Sequence, residues 1–409
     1  MKNYFYSKEC YFLNYQYLKK NVYILRKMKK QLFPFIFLIL VNQLILINYF
    51  GIIGDISAKF EIDYDLYIQI DSLQFNATNA YNYIISQLNF GYRVPGYPAH
   101  EDCANWIRSQ LQDKVDLIIA HNFTIQKNGQ PAYNCQNILG KVNINKTDIV
   151  IIGAHWDSRA VAEKDSINKS SPIPGANDGA SGVAVLIELA QVLNQIKTIL
   201  NAQIWFLFLD AEDQGSSAGL YGLQSWKWCE GSIAFNNEIE TFYDPNNESL
   251  ECFILLDMVG GTNLRFIDES YSTNLLLNAL FEEGQNLGYI EQFPTNPKSL
   301  QIVDDHIFFL QNGIPSADLI IDFINGQWTH HHKHSDNITN IDSNSLNITG
   351  RTVESFIKNY YIGLDTENPD WGPASYIPVS SILLWVILIF GGTLLVVFIW
   401  DWFNKKNRD

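Results

Sequence analysis

The sequence predicts an α/β fold: a doubly wound, mostly parallel (mixed) sheet with helices on both faces. Four short apolar runs without polar alternation are typical of strands that are buried on both sides. These predicted strands are 149–154, 204–209, 253–256 and 317–321. Amphipathic patterns that indicate helices stand between and after them, at 183–196, 274–287 and 342–361. Strands and helices that alternate in this way favour a single sheet covered on both faces.

Residues 1–54 are expected to be a leader. Residues 1–30 contain eight bases and one acid, and the uncharged apolar run 32–53 follows them. This order is typical of a secretory signal peptide or of an uncleaved signal anchor. Asn42 and Gln43 interrupt the apolar run and favour a signal that is removed. A buried core helix is the remaining alternative.

A C-terminal transmembrane helix is predicted at 382–400, because these 19 residues carry no charge and are long enough to span a hydrocarbon core. The tail 401–409 contains three bases, as is typical of a cytoplasmic flank. Residues 364–381 include three prolines and are expected to form a stalk. The predicted topology is single-pass type I. It places a catalytic domain, 55–363, in the secretory pathway or at the cell surface, on the lumenal or extracellular side.

The region between the two apolar runs is strongly acidic. The 409-residue chain has a net charge of −15, yet residues 55–380 contain 17 bases and 40 acids. A nucleic-acid partner is therefore excluded, because phosphate binding needs a basic face. Seven Asn-x-Ser/Thr sequences are compatible with a glycosylated lumenal domain. The four cysteines of this region allow one or two disulfides of undetermined pairing.

Polar side chains that can bind a metal ion follow the predicted strands. In open α/β sheets, ligands bind just outside the carboxyl ends of the strands. The polar segments at these ends are 155–158 (His-Trp-Asp-Ser), 175–182 (Gly-Ala-Asn-Asp-Gly-Ala-Ser-Gly), 210–213 (Asp-Ala-Glu-Asp), Asp257, 304–306 (Asp-Asp-His) and 330–336 (His-His-His-Lys-His-Ser-Asp). Carboxylates and imidazoles that converge from several strand ends are the ligands that zinc prefers in an open, catalytic site.

Each of these segments has an ordinary structural explanation when taken alone. A histidine at a strand end can be a satisfied polar residue, and an aspartate before a helix is usually an N-cap. Glu212 and Asp213 can be solvated loop charges, and the four histidines can reflect chance composition. Their joint occurrence at the ends of successive predicted strands favours a metal site.

The motifs resemble those of the zinc-dependent glutaminyl-peptide cyclotransferases and of the zinc aminopeptidases that share their fold. The resemblance covers about residues 80–362. It rests on the segments 90–96 (Phe-Gly-Tyr-Arg-Val-Pro-Gly), 153–158, 172–182, 208–213, 255–260 and 304–307, and on Trp328 with the loop that contains His332. So many motifs in the same order imply the zinc-aminopeptidase-like fold.

The resemblance implies a role for each matching residue. Asp178, Asp213 and His332 match the metal ligands, and Glu212 matches the catalytic carboxylate. His332 is preferred because the family pattern has an acidic residue four positions later, where Asp336 stands. His330 and His334 are rivals for this position.

Asp257 and Asp304 match two further catalytic carboxylates of the cyclotransferases. Trp328 matches a substrate-binding tryptophan, although in the cyclotransferases a tryptophan directly precedes the ligand histidine. Here Trp328 lies four residues before His332.

The resemblance implies cyclisation of N-terminal glutamine in peptides or proteins to pyroglutamate, with one zinc ion and release of ammonia. The first alternative is an aminopeptidase with two metal ions, in which His155 and Asp257 hold the second ion. Asp304, the segment 93–96 and the final loop with its tryptophan favour the cyclotransferase. The second alternative is a non-catalytic, membrane-anchored binding ectodomain.

Overall fold

A mixed six-stranded sheet forms the centre of the protein in the computed structural model. The structure describes residues 72–374 except 128, 130, 217–222, 224, 325–327 and 363–368. The strands in chain order are β1 (Leu117–Ile125), β2 (Tyr133–Val142), β3 (Asp148–His155), β4 (Gln203–Leu209), β5 (Ser249–Asp257), β6 (Asp268–Glu269), β7 (Ser299–Leu300) and β8 (Ser316–Ile320). Strands β6 and β7 pair with each other in a separate small sheet.

The large sheet has the spatial order β1-β2-β4-β3-β5-β8. Strands β4, β3, β5 and β8 run parallel to one another, while β2 is antiparallel to both β1 and β4. The expected mixed sheet is therefore confirmed. Because the carboxyl ends of the four parallel strands share one edge, His155 and Asp257, which end β3 and β5, meet there.

Seven α-helices accompany the sheet in the described part of the chain. They are α1 (Ala77–Phe90), α2 (Pro98–Leu111), α3 (Ala180–Gln195), α4 (Glu230–Asn237), α5 (Asn274–Asn286), α6 (His306–Gln311) and α7 (Ser343–Tyr361). Short 3-10 turns lie at Lys197–Ile199, Ile239–Thr241 and Ile338–Asn340. The three predicted helices correspond to α3, α5 and α7.

Apolar side chains cover both faces of the sheet, as the uninterrupted apolar runs predict. Along β3, Val150 and Ile152 pack into the larger core, which includes side chains of α1, α2, α3, α5 and α7. The alternate residue Ile151 packs on the other face with Phe235 of α4 and Phe309 of α6. Full burial of one such aliphatic side chain stabilises the fold by about 1.5–3 kcal/mol. Helices on both faces are therefore confirmed.

The turn before α3 holds the backbone close to two neighbouring segments. Asp336 accepts the N–H groups of Asn177 and Asp178 at 2.8 and 3.1 Å. Gly182, in the first turn of α3, leaves no room for a side chain, because a Cβ there would lie 2.2 Å from the carbonyl oxygen of Leu256. These contacts fix Asp178 against the ends of β3 and β5.

Several of the predicted segments lie near the two ends of the chain. The predicted leader 1–54, transmembrane helix 382–400 and tail 401–409 lie outside the described residues, as does most of the predicted stalk. Among the residues that the structure describes, no helix combines the length and the apolar character needed to cross a membrane. Within the predicted stalk, Trp371 is buried against Phe356, and its indole N–H donates to Tyr361 Oη at 2.9 Å.

The four cysteines of the described region are free thiols, so the disulfides that the sequence allows are not formed among them. Each of the four side chains is buried: Cys103, Cys135, Cys229 and Cys252.

Candidate metal and catalytic site

The first cluster of candidate ligands lies where β3 and β5 end. His155 Nε2 is 3.2 Å from Asp178 Oδ1 and 3.2 Å from Asp257 Oδ1. His155 Nδ1 faces Asp157 Oδ1 at 3.4 Å. All of these side chains are buried. The structure thus brings together the two residues proposed for a second metal ion and the central carboxylate Asp178.

The second cluster lies on the other side of Asp178. His332 Nε2 is 3.1 Å from Asp213 Oδ1 and 3.9 Å from Asp178 Oδ2. His331 Nε2 is also 3.9 Å from Asp178 Oδ2. Asp178, His331 and His332 can direct one ligand atom each to a common point.

Two buried carboxylate oxygens of this cluster show that a cation would fit here. Asp178 Oδ2 and Asp213 Oδ2 have no hydrogen-bond partner among the described residues. A buried carboxylate oxygen left without a partner costs free energy, and a bound cation removes that cost. Carboxylate oxygens with an imidazole nitrogen are a zinc-type donor set. The residues present therefore fit a metal ion at Asp178, Asp213 and His332.

A second layer of charged groups orients the candidate ligand His332. Its Nδ1 lies 2.6 Å from Glu163 Oε1, and Arg159 Nε donates to Glu163 Oε2 at 2.7 Å. Arg159 also pairs with Asp213 Oδ1 at 3.2 Å. The hydrogen bonds from His332 and Arg159 lower the pKa of Glu163 to about 2 despite its burial. A carboxylate on the outer nitrogen of a histidine fixes its tautomer and orientation for metal binding.

Loss of Glu163 is therefore expected to weaken zinc binding. In the Glu163→Ala variant the dissociation constant for zinc should rise by about 10- to 100-fold, because His332 loses the group that orients it. Competition with a chelator measures this constant. Glu163→Gln, which keeps an acceptor for the Nδ1 hydrogen, should lose less affinity, and Glu101→Ala, which alters an exposed glutamate of α2, is the matched control. An unchanged affinity in Glu163→Ala would contradict the role.

The two rival histidines, His330 and His334, contact residues outside the two clusters. His334 Nδ1 bonds Asp165 Oδ2 at 2.7 Å, and His330 Nδ1 faces Ser335 Oγ at 2.8 Å. Neither lies in the clusters above, so the geometry favours His332 over both. His331 was not among the candidate ligands predicted from the sequence, although its ring centre lies 3.7 Å from that of His332.

A pocket of about 500 Å³ opens beside the two clusters. The carboxylates that line it are Glu163, Asp178, Glu212, Asp213, Asp257 and Asp304. The lining also includes Lys164, Trp228, Phe323, His331 and His332. A larger pocket of about 640 Å³ lies around 236–243 and 312–314 and contains neither histidine nor a candidate metal cluster. The smaller pocket is therefore the candidate active site on chemical grounds.

The tryptophan predicted to bind the substrate does not lie at this pocket. Trp328 is fully buried beside Gly261 and His330 and does not line the pocket. Trp228 lines it instead, with its ring stacked 5.9 Å from His332 and 4.6 Å from the guanidinium carbon of Arg159. The chain brings Trp228 to the site through the loop that leads into α4. The sequence position relative to the histidines therefore does not identify the pocket tryptophan.

Glu212 has the environment of a proton carrier. Its backbone N–H, and that of Asp213, donate to the two oxygens of Asp157 at 3.1 and 3.2 Å. Cys229 Sγ donates to Glu212 Oε1 at 3.4 Å. Burial, and then the charge of Asp304, raise the pKa of Glu212 well above its ordinary value. A carboxyl group with a raised pKa can both accept and return a proton near neutral pH.

Two more predicted catalytic carboxylates adjoin Glu212. Burial raises the pKa of Asp257 to about 6, although its hydrogen bond to His155 opposes the rise. Burial and the charge of Asp257 raise the pKa of Asp304 to about 7. Glu212, Cys229 and Asp304 also lie close enough to direct one atom each to a common point. The structure therefore places Glu212 and both of these carboxylates around one pocket.

The metal-free protein is expected to lose stability as the pH rises from about 4 to about 8. Burial and the charge of Asp304 raise the pKa of Asp305 to about 8, whereas an unfolded aspartate titrates near about 3.9. Because the unfolded chain then binds fewer protons than the folded one, the free energy of unfolding falls with rising pH. Thermal unfolding of Asp305→Asn should depend less on pH than that of the unaltered protein. Equal slopes would contradict this.

Solved structures of bacterial enzymes share this fold. The glutaminyl cyclase of Bacteroides thetaiotaomicron, solved with N-acetylhistamine, is 32% identical with a TM-score of 0.63. The match covers 70% of this chain and 99% of that one. A Zn-dependent exopeptidase from Parabacteroides distasonis is 31% identical with the same TM-score and the same two coverages.

Curated relatives include enzymes of two kinds. Glutaminyl-peptide cyclotransferase of Gloydius blomhoffii is 24% identical over 294 residues, which cover 66% of this chain and 77% of the relative. Leucine aminopeptidase 1 of Blastomyces gilchristii is 22% identical over 291 residues, which cover 67% and 68%.

The mixed sheet and the carboxylate–imidazole clusters at its edge define a protein with the zinc-exopeptidase-like fold. Residues 137–357, from β2 to α7, match the model of peptidase family M28. The chain belongs to this family. Its relatives support a glutaminyl cyclase or an aminopeptidase-like activity, and they indicate zinc as the metal.

Proposed function

We propose that the protein is a zinc-dependent glutaminyl-peptide cyclotransferase that converts the N-terminal glutamine of peptides or proteins to pyroglutamate. The observation that carries this proposal is that three buried carboxyl groups, those of Glu212, Asp257 and Asp304, line the same pocket. Their raised pKa values suit a reaction in which one proton leaves an amine and reaches a departing amide. Similarity to the bacterial glutaminyl cyclase supports it.

The two clusters also differ in a way that supports a single ion. At the His332 cluster, Asp178 Oδ2 and Asp213 Oδ2 lack hydrogen-bond partners among the described residues. At the other cluster, His155 is already in contact with both Asp178 Oδ1 and Asp257 Oδ1. A zinc ion held by Asp178, Asp213 and His332 would act as a Lewis acid on the side-chain amide carbonyl of the substrate.

Glu212 would move the proton in this reaction. The α-amine of the substrate attacks the side-chain carbonyl carbon, and Glu212 takes a proton from that amine. The same carboxyl group then gives the proton to the amide nitrogen, which leaves as ammonia. Because both reacting groups belong to one glutamine residue, positioning in the pocket supplies much of the rate.

Asp304 and Asp257 would hold the leaving amide. Each has a pKa raised towards neutrality, so a proton can be shared between them, and two adjacent carboxylates resist double ionisation. Trp228 would form the apolar wall against the aliphatic part of the glutamine side chain, in place of the predicted Trp328.

An aminopeptidase is the second candidate. The cluster of His155, Asp178 and Asp257 favours it, since these residues can direct ligand atoms to a common point and provide a site for a second metal ion. Glu212 would then activate a water molecule for hydrolysis of the first peptide bond. A non-catalytic binding domain is the third candidate, and it predicts no turnover.

Three peptides separate the candidates. The zinc-loaded protein should release ammonia from a peptide that begins with glutamine. It should not release ammonia from the same peptide with an acetylated α-amine, because the nucleophile is then blocked. A peptide that begins with leucine should remain intact. Release of free leucine would instead support the aminopeptidase, and no turnover of any peptide would support the binding domain.

A further inference from the structure

The adjacent histidines His331 and His332 face the same carboxylate oxygen but differ in their outer partners. Both Nε2 atoms lie 3.9 Å from Asp178 Oδ2. The Nδ1 atom of His332 meets Glu163 Oε1, whereas the Nδ1 atom of His331 is within hydrogen-bonding distance of Lys164 Nζ. One histidine is therefore paired with an acceptor and the other with a donor.

The outer partners determine where the imidazole hydrogen lies. A carboxylate accepts hydrogen bonds, so His332 carries a hydrogen on Nδ1, and its Nε2, 3.1 Å from Asp213 Oδ1, would provide the electron pair for a bound metal ion. A lysine ammonium group has donors and no acceptor. His331 therefore accepts at Nδ1 and carries its hydrogen on Nε2. In this tautomer His331 is not a metal ligand but a hydrogen-bond donor.

The position of His331 directs this donor into the candidate active site. His331 lines the pocket beside Asp178, and its side chain is 14% exposed. The ring lies edge-on to Phe323, with ring centres 4.4 Å apart. Phe323 and Lys164 also line the pocket, with Lys164 Nζ 5.8 Å from the centre of the Phe323 ring. The ring is therefore held by two neighbours, and its Nε2 lies at the pocket, 3.9 Å from Oδ2 of the proposed metal ligand Asp178.

We propose that His331 is a catalytic residue that donates its Nε2–H to the side-chain carbonyl oxygen of the substrate glutamine. This inference rests on the proposed function. The oxygen gains negative charge when the amine attacks and loses it when ammonia departs, so the hydrogen bond is strongest between these events. His331 forms and breaks no covalent bond. Lys164 is a positioning residue that keeps the hydrogen on Nε2 of His331.

Kinetics of the zinc-loaded, full-length chain test the donor. His331→Phe should lower kcat for a glutamine peptide by about 100- to 1000-fold, as loss of an oxyanion donor does. KM and the zinc dissociation constant should change little. His331→Gln, which retains an N–H donor, should recover part of the rate. An unchanged kcat in His331→Phe would overturn the proposal, and so would a large loss of zinc affinity, because His331 would then be a ligand.

The imidazole tautomers test the role of Lys164 independently of activity. NMR of the protein labelled with ¹⁵N-histidine should place the hydrogen of His331 on Nε2 in the metal-free state and that of His332 on Nδ1 in the zinc-loaded state. Lys164→Met should shift the His331 hydrogen towards Nδ1 and lower kcat, while Lys164→Arg should restore both. A His331 hydrogen on Nδ1 in the unaltered protein would overturn the inference.

The same experiments distinguish failure of this inference from failure of the proposed function. If the unaltered protein forms no pyroglutamate, the cyclotransferase proposal fails and with it the catalytic role of His331. The tautomer measurement still decides whether Lys164 fixes His331 as a donor. If pyroglutamate forms and His331→Phe retains full rate, only the further inference fails.

Discussion

The Glu212→Gln variant is expected to lose nearly all turnover, with kcat lower by about 100- to 10,000-fold. Glutamine has nearly the same shape but cannot accept and return a proton. Because Glu212 is not one of the three proposed zinc ligands, the variant should bind zinc as tightly as the unaltered protein. Ammonia release from a glutamine peptide and zinc content measured on the same sample check both statements.

The matched control is Glu240→Gln, which alters an exposed glutamate of the Ile239–Thr241 turn. It should leave both the rate and the zinc content unchanged. Full activity of Glu212→Gln would show that another group carries the proton. Loss of zinc from Glu212→Gln would instead indicate that Glu212 contributes to metal binding.

The His332→Ala variant is expected to lose its zinc and, as a consequence, its activity. Loss of the outer carboxylate that orients a ligand histidine lowers metal affinity by about 10- to 100-fold. Loss of the histidine itself should therefore lower the affinity by more. Of the three proposed ligands, only the carboxylates of Asp178 and Asp213 would then remain. Zinc content after dialysis against a weak chelator measures the effect.

His334→Ala is the control for this prediction, since His334 belongs to the same loop but bonds Asp165. It should retain zinc and activity. If His334→Ala loses zinc while His332→Ala retains it, the assignment of the ligand histidine is wrong.

The strands that support the site could be predicted from the sequence, because burial on both faces leaves a plain signal. The strand β4 reads Gln-Ile-Trp-Phe-Leu-Phe-Leu, and every residue in it is buried. The edge strand β1 gave no such signal, since His121 and Asn122 interrupt its apolar residues and it is partly exposed. The short helices α4 and α6 and the two-residue strands β6 and β7 contain too few residues for a periodic pattern.

The candidate site was predicted where strand ends determine it and missed where distant loops meet. His155, Asp178, Asp213 and Asp257 follow strands or open a helix, so the topology itself brings them together. The choice between His331 and His332 depends instead on Glu163 and Lys164, which lie about 170 residues earlier in the chain. The spacing of the four neighbouring histidines cannot show which of them contacts Glu163 and which contacts Lys164.

Closeness in sequence also did not identify the tryptophan that lines the pocket. Trp328 lies close to His332 in sequence, yet its side chain is buried away from the pocket, whereas Trp228 reaches His332 from about 100 residues away. A signal was available, because Trp228 and Cys229 follow the segment 210–213 within the same strand-to-helix connection. Glu163 and Lys164 likewise follow His155 in the connection from β3 to α3.

The mass of the product formed from a single glutamine peptide tests the central claim most directly. The zinc-loaded, full-length chain is incubated with a peptide that begins with glutamine, and the product is measured by mass spectrometry. A cyclotransferase removes one molecule of ammonia and leaves every residue in place. A product that lacks the whole glutamine residue would contradict the account and identify the protein as an aminopeptidase.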